Sequence, residues 1–273
     1  MSESRSNYRN AVVGRDAARK TAPTNQTADR AFEVLGALLV ARRPLAVSEI
    51  ARTCGFAPST THRLLASLVR YNFAQQDPET SKYRLGLGLL EYGYAILNGL
   101  DVREHAAPVL TELNRATRET VHLAILDGHD LVYIDRRDTQ HGIRVNTSIG
   151  RRGTPHTTGI GKALLAFLPE QGVDAYLESV RLEPKTARSI TDPDVLRREL
   201  AQTRERGYAI DDGEDKDHVC CVAAPILGAG GHPVASISIS VPDSRATVDD
   251  LLRLTPLLLE QTQRLSRSIG FRS

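Results

Sequence analysis

The residues best suited to chemistry fall first in one short stretch. Ser59, Thr60, His62 and Arg63 follow Pro58, where a helix is expected to start. Short hydroxyls and a cation at a helix N-terminus are groups that meet phosphates and base edges in a major groove. Arg63 matches a guanine edge, while Ser59 and Thr60 suit phosphates or adenine edges. Lys82 and Arg84 lie on a following extended pair, where they can clamp phosphates, adding affinity but little sequence information. Ser48, which opens the preceding helix, and Ser67 complete this candidate contact set. Taken singly, Ser59 and Thr60 are equally good helix caps, and Arg63 and Arg70 equally good solvated cations.

A second set lies downstream. His156 to Lys162 contains Gly159 and Gly161, which would let backbone N–H groups approach a ligand at the start of a helix, where the dipole favours an anion. Ser236, Ser238 and Ser240 alternate with Ala235, Ile237 and Ile239, which puts the serines on one strand face and the isoleucines on the other. Serines so placed are often merely solvated.

The elements that hold these residues can be read from periodicity. Residues 1–26 are rich in Ser, Arg, Asn, Thr and Ala and too poor in large apolar groups to offset chain ordering; a mobile basic arm is expected. Ala31, Val34, Leu35, Leu38 and Leu39 recur at helical spacing, and Arg42-Arg43-Pro44 ends that helix. A short helix opens at Ser48-Glu49 and closes at Gly55. A third runs from about Ser59 to Tyr71, with Thr61, Leu64, Leu65 and Leu68 inward. Two extended runs, 73–76 and 82–85, flank the turn residues Asp77-Pro78-Glu79-Thr80 and predict a hairpin. Three helices and a hairpin in this order are the parts of a winged helix-turn-helix over 27–86. A linker helix follows, with Leu87, Leu90, Tyr94 and Leu97 spaced for packing, and 87–101 forms the connection.

From Val102 the texture changes. A helix to about Thr117 leads into Val121 to Leu126, an Asp127-Gly128 hairpin signal and Leu131 to Ile134. Further strands are expected at 208–211, 220–227 and 234–241, with helices at 159–168, 170–180, 192–206 and 246–268. The class is α+β: a mixed or antiparallel sheet flanked by helices over 102–270.

Composition agrees with two soluble domains. The chain has 273 residues, 41% hydrophobic and 25% charged. Residues 1–90 carry thirteen Lys/Arg against seven Asp/Glu, a net +6, and the rest a net −4. A basic front suits a polyanionic partner. Three cysteines, with Cys220 and Cys221 adjacent, offer no disulfide framework, so a reduced, cytoplasmic setting is expected. No apolar run approaches the ~20 residues that cross a bilayer, and no signal peptide is apparent; no membrane association is expected.

The run Val47-Ser48-Glu49-Ile50-Ala51-Arg52-Thr53-Cys54-Gly55-Phe56-Ala57-Pro58-Ser59-Thr60-Thr61-His62-Arg63-Leu64-Leu65 closely resembles the helix-turn-helix of the IclR family of bacterial transcriptional regulators. The resemblance continues through Thr120 to Leu123, Pro155 to Ala166, Arg206 to Glu214 and Val222 to Ile226, spanning about 27 to 270. It departs at Thr61, where an apolar residue is expected. The resemblance implies a winged domain, a linker helix and a GAF-like effector-binding domain. It also implies a homodimer or dimer of dimers on double-stranded operator DNA. By motif, Gly159, Ile160, Asp211, Cys221, Ser238 and Ser240 correspond to the family's effector pocket, whose ligands are small organic or aromatic acids.

Other motifs fail. Gly159-Ile160-Gly161-Lys162 lacks the earlier glycine of a P-loop, since position 156 is His, and the Ser/Thr after Lys, since 163 is Ala. His218, Cys220 and Cys221 lack zinc-site spacing. No cofactor, metal or catalytic residue is assigned. The expected function is a ligand-responsive transcriptional regulator, repressor or activator, of a catabolic operon. The alternatives are an enzyme using Asp211, His218 and Cys221 with an accessory DNA-binding front, and a DNA-associated protein without an effector.

Overall fold

In a computed structural model of the chain, residues 25–141 and 147–271 are described. They divide at Leu97/Asn98 into two units. The first opens with α1 (Gln26–Ala41), capped by Asn25, whose side chain accepts from the Thr27 and Ala28 N–H groups. Order thus begins ahead of the expected boundary at 27, because Asn is a favoured N-cap. The rest of the expected arm lies outside the described residues.

α2 (Val47–Cys54) ends where Gly55 takes the left-handed conformation at φ 74°, and α3 (Pro58–Arg70) starts on Pro58. β1 (Ala74–Gln76) and β2 (Tyr83–Leu85) pair antiparallel, and Leu45 bridges to Tyr83, adding a third short rung. Val34, Leu38, Ile50, Leu64, Leu65 and Tyr83 meet in the core. Thr61 joins them fully buried. Its hydroxyl donates to Ala57 O at 3.1 Å, so its methyl packs and its polar atom is satisfied within the helix. α4 (Gly88–Asn98) follows. Leu87, Leu90 and Tyr94, spaced for packing, are 74%, 66% and 68% exposed, so none of the described residues covers them.

The second unit begins with α5 (Asp101–Thr117). Its sheet comprises β3 (Thr120–Asp127), β4 (Asp130–Arg137), β5 (Arg152–Gly153), β6 (Ala209–Asp212), β7 (Val219–Leu227) and β8 (Pro233–Pro242), in the order β5-β4-β3-β8-β7-β6. Every pairing is antiparallel, which resolves the open choice between a mixed and an antiparallel sheet. α6 (Gly159–Leu165), α7 (Glu170–Ser179) and α8 (Pro193–Arg206) follow β5, with α6 lying on β7, β8 and β6. The expected helix 246–268 is divided into α9 (Val248–Leu252) and α10 (Thr255–Ser268), because Pro256 lacks the N–H that continuity needs. α10 packs on β7 and is tied to α5, where Glu112 accepts from Gln261 at 3.0 Å and Arg264 at 2.9 Å. Among the described residues no helix is long and apolar enough to cross a membrane.

Candidate functional site

α3 buries Thr61, Leu64, Leu65 and Leu68 and turns Ser59, His62, Arg63, Ser67 and Arg70 outward, with Thr60 partly buried. Its N-cap is Ala57, which has no capping side chain, so Ser59 and Thr60 are not consumed as caps. Ser67 is partly committed, its hydroxyl donating to Arg63 O at 3.3 Å. Ser48 is exposed on α2. Nearby, Arg43 pairs with Glu49 at 2.9 Å and holds that carboxyl below its usual range. On the hairpin, Lys82 and Arg84 are both exposed. Arg84 donates to Gln75 Oε1 at 3.2 Å across the strand pair. The turn between them is braced by Asp77, which accepts from Thr80 N at 2.8 Å.

The sheet unit contains a cavity of about 30 Å³. Antiparallel register brings its wall together: Cys221 lies opposite Ser240, and Ser238 lies between Ala223 and His122. Five of the expected residues, Ile160, Asp211, Cys221, Ser238 and Ser240, line it. Gly159 does not. A Cβ there would come within 2.8 Å of Cys221 Sγ, and its N–H is directed at that sulfur. The Gly161 N–H goes to Thr158 Oγ1 at 3.2 Å, and a Cβ at 161 would strike the Pro155 backbone at 2.4 Å. The close approach these glycines permit in this structure is to protein atoms.

Sequence reasoning missed His122, Tyr133, Thr158, Asp215 and Lys216 as cavity residues. The available signal was a histidine inside the apolar run Val121 to Leu126. Nδ1 of His122 lies 3.4 Å from Ser240 Oγ, and its ring meets Tyr133 edge-on at 5.3 Å. Burial pushes the imidazole down to about 3, so it stays neutral. Burial also pushes the Asp211 carboxyl up to about 7, although Oδ1 accepts the Glu214 N–H at 2.7 Å. The Cys221 thiol is raised by burial and by the Asp211 charge, and it donates to Asp211 Oδ2 at 3.7 Å. Burial lowers Lys216 from the ordinary lysine range.

Behind Asp211 lies a buried ion pair. Lys162, 1% exposed, places Nζ 2.5 Å from Glu214 Oε1 and 3.8 Å from Glu199 Oε1. Arg206 completes the group at 2.7 Å from Glu199. The lysine of the P-loop-like turn is thus a structural countercharge. The turn that carries Glu214 is held in place by two hydroxyls: Thr186 donates to Gly213 O at 2.7 Å and Ser189 to Glu214 O at 2.6 Å.

Of the three residues of the enzyme alternative, Asp211 and Cys221 meet at the cavity and His218 stands apart from them. His218 is exposed and pairs with Asp243 at 2.8 Å, whereas Cys221 is buried with a thiol that resists ionisation. Cys220, on the opposite strand face, donates to Asp212 at 3.4 Å. Among the described residues no cluster of three or more His, Cys, Asp or Glu could hold a metal.

Residues 27–78 match the IclR helix-turn-helix domain, and residues 94–267 match the bacterial transcriptional regulator IclR C-terminal domain. The HTH-type transcriptional regulator XynR of Escherichia coli is 36% identical over 249 residues, covering 91% of this chain and 99% of that protein. The transcriptional repressor IclR of Escherichia coli is 32% identical over 262 residues, covering 94% and 96%. The crystal structure of Thermotoga maritima IclR superposes with a TM-score of 0.76 at 34% identity, over 90% of this chain and 99% of that one. The two domains are matched in order over most of the chain, and the chain belongs to the IclR family of DNA-binding transcriptional regulators.

Proposed function

We propose that this regulator acts as a homo-oligomer whose α3 helices read successive major grooves of an operator, and that a small organic acid in the sheet-unit cavity modulates the affinity. On this reading residues 27–86 bind DNA, 87–101 connect, and 102–270 hold the effector. Arg63 reads a base edge, with Ser59, Thr60, His62, Ser48 and Ser67 around it, and Lys82 and Arg84 grip phosphates. The observation that carries the effector reading is the cavity, where hydroxyls, an imidazole and Lys216 line one small space. Ile160, Asp211, Cys221, Ser238 and Ser240 supply its expected contacts, with Gly159 supporting Cys221 from behind.

Exposed apolar residues support self-association. Phe32 and Leu39 on α1 are 63% and 58% exposed, and Tyr92 and Ile96 on α4 are 60% and 66%. Apolar side chains repeated along two helices mark a surface that a second copy can bury. Three free cysteines suit a reducing, cytoplasmic setting.

The test is fluorescence anisotropy with fragments from upstream of the gene and its neighbours, titrated with salt and with small carboxylic and phenolic acids. Binding should weaken steeply with salt. A cognate acid should shift affinity by about 5- to 150-fold. No salt-sensitive binding to any fragment, with or without acids, overturns the proposal. Light scattering should give a dimer or tetramer; a monomer at micromolar concentration overturns the paired geometry.

A further inference from the structure

The end of α3 and the start of α4 are separated in sequence by the whole hairpin, yet they meet. After Arg70 the chain turns at Asn72, which takes the left-handed conformation at φ 58°. The Asn72 N–H goes back to Val69 O at 3.0 Å and the Phe73 N–H to Leu68 O at 2.8 Å, closing the last turn of α3. On the far side of the hairpin, Gly86 donates to Phe73 O at 2.8 Å and Gly88, the first residue of α4, donates to Asn72 O at 3.0 Å. Only glycine permits this approach. A Cβ at 86 would lie 2.1 Å from Asn72 O, and one at 88 would lie 2.9 Å from both Asn72 O and Asn72 Cβ. One turn into α4, the Tyr92 ring meets Phe73 edge-on at 5.2 Å. The junction is mostly backbone against backbone, with no long side chain to yield, so α4 is fixed to the base of α3. A flexible connection would let each α3 find its half-site independently. A fixed one hands the orientation of α3 to whatever orients α4, whose Leu90, Tyr92, Tyr94 and Ile96 are exposed.

We propose that Asn72 and Gly88 are positioning residues that set the separation of the paired α3 helices, so that the distance between operator half-sites is read through this junction and not through a contact to DNA. This rests on the reading of the protein as a paired, groove-reading regulator. One base pair added between half-sites moves the second by about 3.4 Å along the duplex and about 35° around it. A pair held at a fixed separation loses contacts on one side, whereas a loosened pair follows the displaced half-site.

The experiment is fluorescence anisotropy with the full-length protein and three forms of its best-bound upstream fragment, with half-sites mapped by footprinting: intact, with one base pair inserted between the half-sites, and with one half-site alone. The unsubstituted protein should lose about tenfold or more on the insertion. Gly88→Ala, whose methyl pushes Asn72 and α4 apart, should lose about threefold or less, with its affinity for the single half-site and its salt slope unchanged. Adding Asn72→Gly removes the Cβ that this methyl meets and keeps the left-handed turn, so the double variant should recover part of the discrimination. Discrimination unchanged in Gly88→Ala, or affinity for the single half-site falling as far as that for the pair, overturns the positioning role. A second readout needs no variant to fold: in the unsubstituted protein the Gly88 amide should resist hydrogen exchange as the amides of α3 do, and exchange as fast as in an exposed turn overturns the fixed junction. No binding to any fragment, or a footprint of one half-site only, overturns the underlying reading, while the exchange still decides the junction.

Discussion

The polar face of α3 and the polar wall of the cavity present opposite problems. On α3, Ser59, His62 and Arg63 are exposed, and hydration satisfies them until a partner arrives. In the cavity, His122, Asp211, Ser238 and Ser240 are each 5% exposed or less, so each needs a partner inside the protein. The first site is an attachment to a helix whose stability comes from its other face. The second is part of the core, and its polar groups are coupled to folding. Substitutions should separate the two regions accordingly.

The largest effect should come from the ion pair behind the cavity. Glu214→Ala leaves the Lys162 ammonium buried without its nearest carboxylate, with Glu199 at 3.8 Å, and should reduce stability by about 3–5 kcal/mol in chemical denaturation. Replacing both partners, as Lys162→Met with Glu214→Leu, should recover most of that loss. A double variant as unstable as the single one would refute the pairing as its cause.

Next is a pH effect confined to the sheet unit. The Asp211 carboxyl is raised from its ordinary value to about 7 by burial, so the folded chain holds a proton that the unfolded chain releases near pH 4. Stability from this group is full at low pH and is lost as pH rises through about 4 to 7, with a slope of roughly 1.4 kcal/mol per pH unit. Asp211→Asn should flatten the decline while the DNA-binding unit keeps its own profile. A decline equally steep in Asp211→Asn would assign it to another group.

Substitutions on α3 and the hairpin should be smaller and leave folding alone. Arg63→Ala should cost about 1–3 kcal/mol in operator binding and relax preference at one base position. Lys82→Ala should weaken binding to all sequences alike and reduce the salt slope by about 1. Both variants should melt like the parent. Equal loss of base preference from the two would erase the division between reading and gripping, and a large fall in melting temperature would erase the contrast with the cavity.

The same contrast explains what the sequence disclosed. The helices and hairpin of the first unit were legible because Leu64, Leu65 and Leu68 sit at helical spacing and Gly55 and Pro58 mark the turn between helices. The serine alternation on β8 was legible for the same local reason. His122 was not singled out, because its role arises from a register that places it opposite Ser238 and near Ser240, more than 100 residues away. At Gly159 and Gly161 the sequence reveals a need for a missing Cβ but not the protein neighbours, Cys221 and Pro155, that impose it. Leu87, Leu90 and Tyr94 showed an apolar stripe, but periodicity does not say whose atoms will cover it. The break at Pro256 followed from an elementary rule that the long apolar pattern around it obscured.

The Thr186 and Ser189 hydroxyls hold the carbonyls of Gly213 and Glu214, the stem from which Asp215 and Lys216 reach the cavity, yet neither residue lines that space. Loosening this clasp, for example in Ser189→Ala, changes how much ordering an occupant must impose. If the cavity holds the proposed effector, the signature is a dose–response curve displaced along the concentration axis with the preferred nucleotide sequence unaltered.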